Sequence, residues 1–167
     1  MNLLRDNKKT RWAVLFIISF VMFAAYVASD NIFAVETTLQ GDAYQISDSE
    51  YSSLAGAYSI FNVYLLMLIF GGIILDKKGI RFTGTMAAGL MVLGIGMLTF
   101  AMFRLRTLVA GGAVMETVNF LGDTLRPQVL IAVIGIGIYG VGAEIAGITA
   151  TKVIAKWFIG YEMALAM

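Results

Sequence analysis

The sequence predicts an all-α membrane protein that contains four complete transmembrane helices and the start of a fifth. Its composition is the first indication, because 59% of the 167 residues are hydrophobic and only 14% are charged. Soluble domains have about 25% charged residues. The second indication is that the uncharged stretches have the length of transmembrane helices. The third is that the basic residues are concentrated on one predicted side of the membrane.

Each predicted helix corresponds to an apolar stretch bounded by charges. A bilayer core of about 30 Å requires about 20 residues at about 1.5 Å per residue. Four stretches meet this length, at residues 12–35, 51–75, 82–103 and 128–151, and a fifth helix begins near residue 159. The first stretch exceeds the roughly 7–15 apolar residues of a signal peptide. Since the sequence stops at Met167 within an apolar run, we expect residues 1–167 to be the N-terminal part of a longer protein.

Local signals predict several helix ends and contact faces. Ser47 and Glu50 have the spacing of a capping box just before the second helix. Gly79 allows a tight turn between the second and third helices, and residues 104–127 form a long outer loop. Small residues at three- and four-residue steps favour close helix packing in lipid, although membrane helices are in any case rich in glycine. In the third and fourth helices these small residues are Gly84, Ala88, Gly140, Ala143 and Gly147.

The distribution of lysine and arginine predicts the orientation, because cytoplasmic loops carry an excess of these residues. With the N-terminus inside, most of them lie on the cytoplasmic side: Arg5, Lys8, Lys9, Arg11, Lys77, Lys78, Arg81, Lys152 and Lys156. The outer side holds Arg104, Arg106 and Arg126, and its loop 36–50 is acidic. We therefore expect a multi-pass protein with a cytoplasmic N-terminus, located in a plasma membrane such as the bacterial inner membrane.

The residue types that are absent exclude several classes of function. The chain contains no cysteine and no histidine, which excludes disulfides, thiolate metal sites, cysteine nucleophiles and histidine bases. A membrane-embedded enzyme would need a nucleophile–base pair or a metal cluster. We therefore expect a protein that is not an enzyme and that uses no cofactor or metal. The net charge of +1, without a basic run interleaved with aromatic residues, predicts no nucleic-acid partner.

A compact group of charges separates the second and third predicted helices, where residues 71–84 read GGIILDKKGIRFTG. The excess of basic residues on the cytoplasmic side explains Lys77, Lys78 and Arg81 but not the acid Asp76. An acid at this position would be useful if it faced a helix N-terminus or an arginine. The segment resembles the G-x-L-a-D-R-x-G-R-R signature of major facilitator superfamily transporters, which also lies between helices two and three. Gly72, Asp76, Gly79 and Arg81 match this signature, and Lys77 keeps the charge of an arginine. Isoleucine at position 80 departs from the signature.

The resemblance extends over most of the chain. Residues 58–63 (YSIFNV), 142–144 (GAE) and 156–162 (KWFIGYE) resemble the branch that includes the lysosomal dipeptide carriers and their microbial relatives. The resemblance implies part of a twelve-helix fold with inverted repeats, which transports by alternating access. It also implies that Asp76 and Arg81 act in gating. Glu144 would belong to the substrate site, where it holds a substrate ammonium group or carries a coupling proton.

Polar residues within the predicted helices are the candidate cavity residues, because an ionisable group in a membrane span usually faces a cavity or a partner. Glu144 lies in the inner half of the bilayer, where a structural ion pair is the alternative. Tyr58 and Asn62, four positions apart, share one face of the second helix, and Tyr26 lies at a similar height. These three would line the cavity or form interhelical hydrogen bonds. Asp30 lies near the outer interface, where a solvated acid is the alternative to a cavity role.

These observations predict a secondary transporter for a small solute. The expected partners are that solute, protons, the lipid bilayer and the C-terminal half of the same transporter. A dipeptide or another small zwitterion is the first candidate, while sugars, drugs, organic anions and uniport stay open. The alternative is a small four-helix membrane protein that acts as an oligomer or an assembly partner. A stop codon after Met167 would favour this alternative, and further membrane spans downstream would favour the transporter.

Overall fold

The structure of the chain is a computed structural model that describes residues 6–64, 67–120 and 122–167. The elements in these ranges are α1 (Lys8–Ala34), α2 (Glu36–Gln40), α3 (Asp48–Tyr64), α4 (Met67–Ala110), β1 (Val118–Phe120), β2 (Asp123–Leu125), α5 (Pro127–Phe158) and α6 (Met163–Ala166). The predicted predominance of helices is confirmed, with two short strands in addition. Arg5, which entered the charge count, and residues 65 and 66 of the second predicted helix lie outside the described ranges.

Three of the described helices are long and apolar enough to cross a bilayer, namely Lys8–Ile32 of α1 and the whole of α4 and α5. Their length and composition support a membrane protein. The predicted helix over residues 51–75 corresponds to α3 and the first part of α4, which are described on either side of residues 65 and 66. The 44-residue α4 therefore contains the end of that predicted helix and the whole of the next one.

The two parts of α4 are separated at Gly79, whose φ of 80° and ψ of 171° are not helical. This positive φ favours glycine, as the predicted turn required. Contacts of α4 with α5 show that the chain reverses here. In order along α4 the pairs are Gly71 with Ile145, Asp76 with Lys152, Gly84 with Thr149, Ala87 with Gly142 and Gly94 with Gly135. The partner positions on α5 rise and then fall, so the two parts form an antiparallel hairpin packed on α5.

Helix α5 is the central element of the described structure. In its most apolar stretch 61% of the residues are buried, against 17% in α4 and 6% in α1. The closest approach is to α4, where a Cβ added to Gly94 would lie 2.5 Å from the carbonyl oxygen of Gly135. A Cβ added to Gly142 would lie 2.8 Å from the carbonyl oxygen of Ala87. Glycine at these positions lets the two backbones touch, which gives close packing where lipid provides no hydrophobic drive.

Only some of the small residues predicted to pack closely against another helix do so in the structure. Gly140 is closely packed against α3. Gly84 and Gly147, in contrast, have room for a Cβ at 3.8 Å and 3.7 Å from the nearest side-chain atom. The tight crossing of α4 and α5 instead uses Gly94 and Gly135, which the spacing of small residues had not distinguished from the other glycines.

The largest apolar core lies at the end of the helices away from the Gly79 turn. Its least exposed members are Leu54, Ala57, Ala101, Leu105, Leu125, Val129 and Ala132. Here α4 continues to Ala110, beyond its predicted end at residue 103, and β1 pairs with β2 in antiparallel register. The predicted outer loop 104–127 is therefore partly helical and partly a β hairpin. Near the other end, the start of the predicted fifth helix is the single-turn α6 (Met163–Ala166).

A capping box and a buried ion pair stabilise the end that carries this core. The Ser47 amide donates to Glu50 Oε2 at 3.1 Å, and the Glu50 amide donates to Ser47 Oγ at 3.3 Å, as their spacing predicted. Arg126 donates to the same carboxylate through Nε at 2.9 Å and Nη2 at 2.7 Å. Burial raises the pKa of Glu50, but the hydrogen bonds from Arg126 and the Ser47 amide, together with the charge of Arg126, leave the pKa below its ordinary value.

Candidate functional site

Glu144 lies within the apolar helix α5 and contacts a polar residue of α3. The Tyr58 hydroxyl donates a hydrogen bond to Glu144 Oε1 at 3.2 Å. Gly140, one turn before Glu144, allows α3 to come this close. A Cβ added to Gly140 would lie 2.9 Å from Tyr58 Cδ2 and 3.0 Å from Asn62 Nδ2. The structure thus brings Tyr58, Asn62 and Glu144 together between α3 and α5, with Tyr58 and Asn62 on one face of their helix.

These three residues line a cavity of about 430 Å³, called the Glu144 cavity below. Its other lining residues are Ser59, Val63, Leu68 and Ile69. The amide oxygen and nitrogen of Asn62 are buried and have no hydrogen-bond partner among the described residues. A buried amide without a partner is costly, so Asn62 is suited to hydrogen bond a polar solute in the cavity. Val63 and Leu68, each 65% exposed, mark where the cavity reaches the surface.

A smaller cavity of about 170 Å³ lies next to the first and is called the Asp30 cavity below. Its polar lining includes Tyr26, Asp30, Tyr58 and Tyr139, so that Tyr58 borders both cavities. Asp30 is exposed and lies four residues before the end of α1. A solvated acid at the rim therefore agrees with its position, as does a role at the cavity entrance.

The charges around both cavities have one sign. Asp30 and Glu144 are carboxylates, and neither lining includes a lysine or an arginine among the described residues. Glu144 is partly buried, and a partly desolvated carboxylate attracts a cation more strongly than a carboxylate in water, because the local dielectric constant is lower. The arrangement is therefore suited to a proton or an ammonium group and unsuited to an anion.

Tyr139 is a cavity residue that the sequence analysis missed. Its hydroxyl is buried and donates a hydrogen bond to the carbonyl oxygen of Ala25 at 2.5 Å, which joins α5 to α1. The available signal was a tyrosine within the glycine-rich stretch 135–142, where a large polar residue interrupts a series of small ones. That signal does not reveal which neighbouring helix the hydroxyl contacts.

The predicted gating residues lie at a different place, at the end of the helices that carries the Gly79 turn and most of the basic residues. This end is called the basic end below. Asp76 forms an ion pair with the ammonium group of Lys152 on α5. The Thr83 hydroxyl donates to the carbonyl oxygen of Gly79 at 2.9 Å and so caps the turn. The sequence pattern does not indicate Lys152 as the partner of Asp76.

The other residues that match the signature, Gly72, Lys77 and Arg81, are exposed or have open space beside them. Lys77 and Arg81 are exposed. Within the described ranges, no carboxylate lies within 4.0 Å of either one. A Cβ added to Gly72 would meet nothing within 4 Å, so its match to the signature has no steric explanation here. None of the residues 72–81 lines either of the two cavities.

A second contact at the basic end joins α1 to the segment after α5. Arg11 is only 3% exposed and donates from Nη2 to Glu162 Oε2 at 3.3 Å. Its guanidinium also lies 3.7 Å from the centre of the Tyr161 ring, in cation–π geometry. Trp12 packs edge-on against Phe158 with 5.8 Å between ring centres. This cluster fixes the first helix to the segment after α5.

No protein-family model, curated protein or solved structure matches this chain. Its function is therefore argued from the two cavities and the charged contacts at the basic end.

Proposed function

We propose that the chain forms part of the N-terminal half of an alternating-access secondary transporter of the major facilitator type. Its solute is a small molecule with an ammonium group, such as a dipeptide or another small zwitterion. The observation that carries the proposal is the position of Glu144. This carboxylate lies within an apolar helix and, with Tyr58 and Asn62, lines a cavity of about 430 Å³.

The energetic cost of a carboxylate at this position supports a functional role. Asp and Glu in membrane spans are costly, and they mark solute or proton pathways where they face a cavity. Among the described residues, Glu144 has no basic partner within 4.0 Å. Its hydrogen bond comes from the neutral Tyr58 hydroxyl. The structural ion pair considered as the alternative therefore has no partner in the described part of the chain.

The proposed chemistry uses Glu144 as an exchange site between a proton and an ammonium group. The ionised carboxylate holds the solute ammonium group, with Tyr58 hydrogen-bonded to one oxygen. The Asn62 amide offers a donor nitrogen with two N–H groups and an acceptor oxygen for the polar remainder of a peptide-like solute. When the solute leaves, a proton replaces it on the carboxylate, which links solute movement to proton movement.

The fold is compatible with four membrane spans. The hairpin at Gly79 would supply the second and third of them, with α3 extending the second, while α1 and α5 would be the first and fourth. The exposed side chains of Tyr26 and Asp30 would face the C-terminal half of the transporter. The basic end would lie in the cytoplasm, where the Asp76–Lys152 pair would contribute to gating.

Replacing Glu144 by glutamine tests the proposal in the full-length gene product. We expect Glu144→Gln to abolish uptake of labelled dialanine into proteoliposomes with an acidic interior, where the solute enters in exchange for protons, because glutamine neither holds an ammonium ion nor carries a proton. Expression and thermal stability should be retained. The control is Glu116→Gln, which removes an exposed acid outside the helices and should leave uptake unchanged. Full uptake that is independent of pH in Glu144→Gln would rule out the proposed role.

Asp76→Asn tests the proposed gate. The ion pair with Lys152 is exposed, so its loss is expected to cost about 0.2–1 kcal/mol and to shift the balance of conformations up to about fivefold. Because the sequence contains no cysteine, a single cysteine in place of Ser59, which lines both cavities, reports access from each side. Lys152→Gln should change maleimide labelling in the same way, whereas Lys77→Gln should not. Unchanged labelling and unchanged uptake in Asp76→Asn would count against a gating role.

A further inference from the structure

We propose that the cleft between the Gly79 turn and the end of α5 binds the phosphate of an anionic phospholipid. The cleft has a volume of about 430 Å³ and is lined by Asp76, Lys152 and Lys156 together with apolar side chains. It is called the basic cleft below. The inference depends on the membrane location of the chain and not on solute binding, since the basic cleft shares no residue with the Glu144 cavity. It does share Asp76 and Lys152 with the proposed gate.

The first argument is the charge of the basic cleft. Lys152 and Lys156 are four positions apart on α5, and therefore lie on the same helical face. Lys152 is paired with Asp76. No carboxylate in the described ranges lies within 4.0 Å of the Lys156 ammonium group. The two lysines of the lining outnumber its one acid, and the exposed bases Lys77, Lys78 and Arg81 lie within five positions of Asp76 in the sequence.

The second argument is the backbone at the floor of the basic cleft. Gly79 and Ile80 line it, and the helical part of α4 that follows begins directly after Gly79. The first amide groups of a helix and the positive end of its dipole attract anions such as phosphate. The backbone thus adds to the attraction that the lysine ammonium groups exert on a phosphate.

The third argument decides between a lipid and a free anion. The basic cleft lies where the Gly79 turn within α4 meets the C-terminal end of α5, and both helices are apolar enough to cross a bilayer. Besides the charged rim, it has apolar walls that include Leu75, Ile80 and Ile159, and Ile159 is 60% exposed. Basic pockets between transmembrane helices bind anionic headgroups. A phospholipid would place its phosphate at the lysines and its chains along the apolar wall, whereas free phosphate would use the rim alone.

A bound phosphate would also compete with Asp76 for Lys152. The carboxylate of Asp76 already occupies one of the two ammonium groups of the basic cleft. Removing its charge frees Lys152 and removes repulsion of the phosphate. Asp76→Asn should therefore strengthen lipid binding, whereas a variant that only damages the local structure would weaken it.

The test measures how much phosphatidylglycerol remains on the full-length gene product after purification from mixed phosphatidylcholine nanodiscs. We expect Lys156→Gln to retain about fivefold less phosphatidylglycerol than the wild type, the effect of one lysine near an anionic surface. Asp76→Asn should retain more than the wild type. The matched control is Lys9→Gln, which removes an exposed charge at the basic end but outside the cleft, and which should retain the wild-type amount.

Three results would overturn the proposal. The first is equal retention by the wild type and Lys156→Gln, and the second is an equal loss in Lys9→Gln, which indicates general attraction to the surface. The third concerns thermal unfolding of the protein in nanodiscs. If inorganic phosphate, added to pure phosphatidylcholine nanodiscs, raised the unfolding temperature as much as phosphatidylglycerol does, the cleft would be a site for soluble anions. Dialanine uptake is measured separately, so failure of the transport proposal would leave these lipid measurements unaffected.

Discussion

Replacing Arg126 by methionine is expected to lower the free energy of unfolding by about 3–5 kcal/mol, because it leaves a buried carboxylate without its partner. The side chains of Glu50 and Arg126 are only 6% and 11% exposed. Arg126 also donates from Nη2 to the Gln45 carbonyl oxygen at 2.9 Å and from Nη1 to that of Tyr44 at 3.3 Å. The substitution therefore disconnects the loop before α3 from the start of α5. Thermal unfolding in detergent, followed by circular dichroism, measures the loss.

Matched variants separate the charge of Arg126 from its geometry. Arg126→Lys keeps the charge but cannot reproduce the paired hydrogen bonds of a guanidinium. Its free energy of unfolding should therefore lie between those of the wild type and Arg126→Met. The double variant Glu50→Gln/Arg126→Met removes both charges and should recover much of the loss. Arg106→Ala removes an exposed arginine at the same end and should change little. Equal stability of Arg126→Met and Arg106→Ala would refute the stabilising role of the pair.

The same ion pair predicts a dependence on pH. The folded-state pKa of Glu50 lies below its ordinary value of 4.5. The group therefore contributes its stability above that ordinary value and loses it as the pH falls through the lower folded value. Glu50→Gln should remove this part of the acid sensitivity, which unfolding curves measured between neutral and acidic pH would show.

Gly94→Ala is expected to destabilise the protein by about 1–3 kcal/mol, although alanine is the better helix former. The added Cβ would lie 2.5 Å from the Gly135 carbonyl oxygen and 2.5 Å from the Tyr139 amide nitrogen. Both atoms belong to the backbone of α5, so the whole helix has to move away. The displacement should also deform the Asp30 cavity, since Gly94 lines it. Thermal unfolding measures the loss of stability.

The control for this prediction is Gly96→Ala, two positions along the same helix. A Cβ added there would meet nothing within 4 Å. The substitution should therefore be neutral, or stabilise the helix by up to about 1 kcal/mol. If both variants proved equally stable, the close approach of α4 to α5 at Gly94 would be contradicted.

The features that could be predicted from the sequence are local ones. The capping box of Ser47 and Glu50 depends on a spacing of three residues, and the turn at Gly79 depends on one residue with a positive φ. The shared face of Tyr58 and Asn62 follows from helical periodicity. In each case the interacting groups are separated by four residues at most, so the geometry of a single element determines the contact.

The features that could not be predicted depend on how distant elements pack. Glu50 and Arg126 are 76 positions apart, as are Asp76 and Lys152, and no periodicity indicates which charges meet. The choice of Gly94 among 18 glycines depends on where two helices cross. Arg104 was assigned to a loop because charges usually end a membrane span. In the structure Arg104 is an exposed residue of α4, because a long basic side chain can leave a helix for water without ending it.

The continuity of α5 has a mechanical consequence. Glu144 and Lys152 are on one unbroken helix of 32 residues, and they are separated by about 12 Å along its axis. A rod of this length transmits a tilt at one point to every other point. Binding of a solute beside Tyr58 and the strength of the ion pair between Lys152 and Asp76 would therefore change together, without any intermediate element between them.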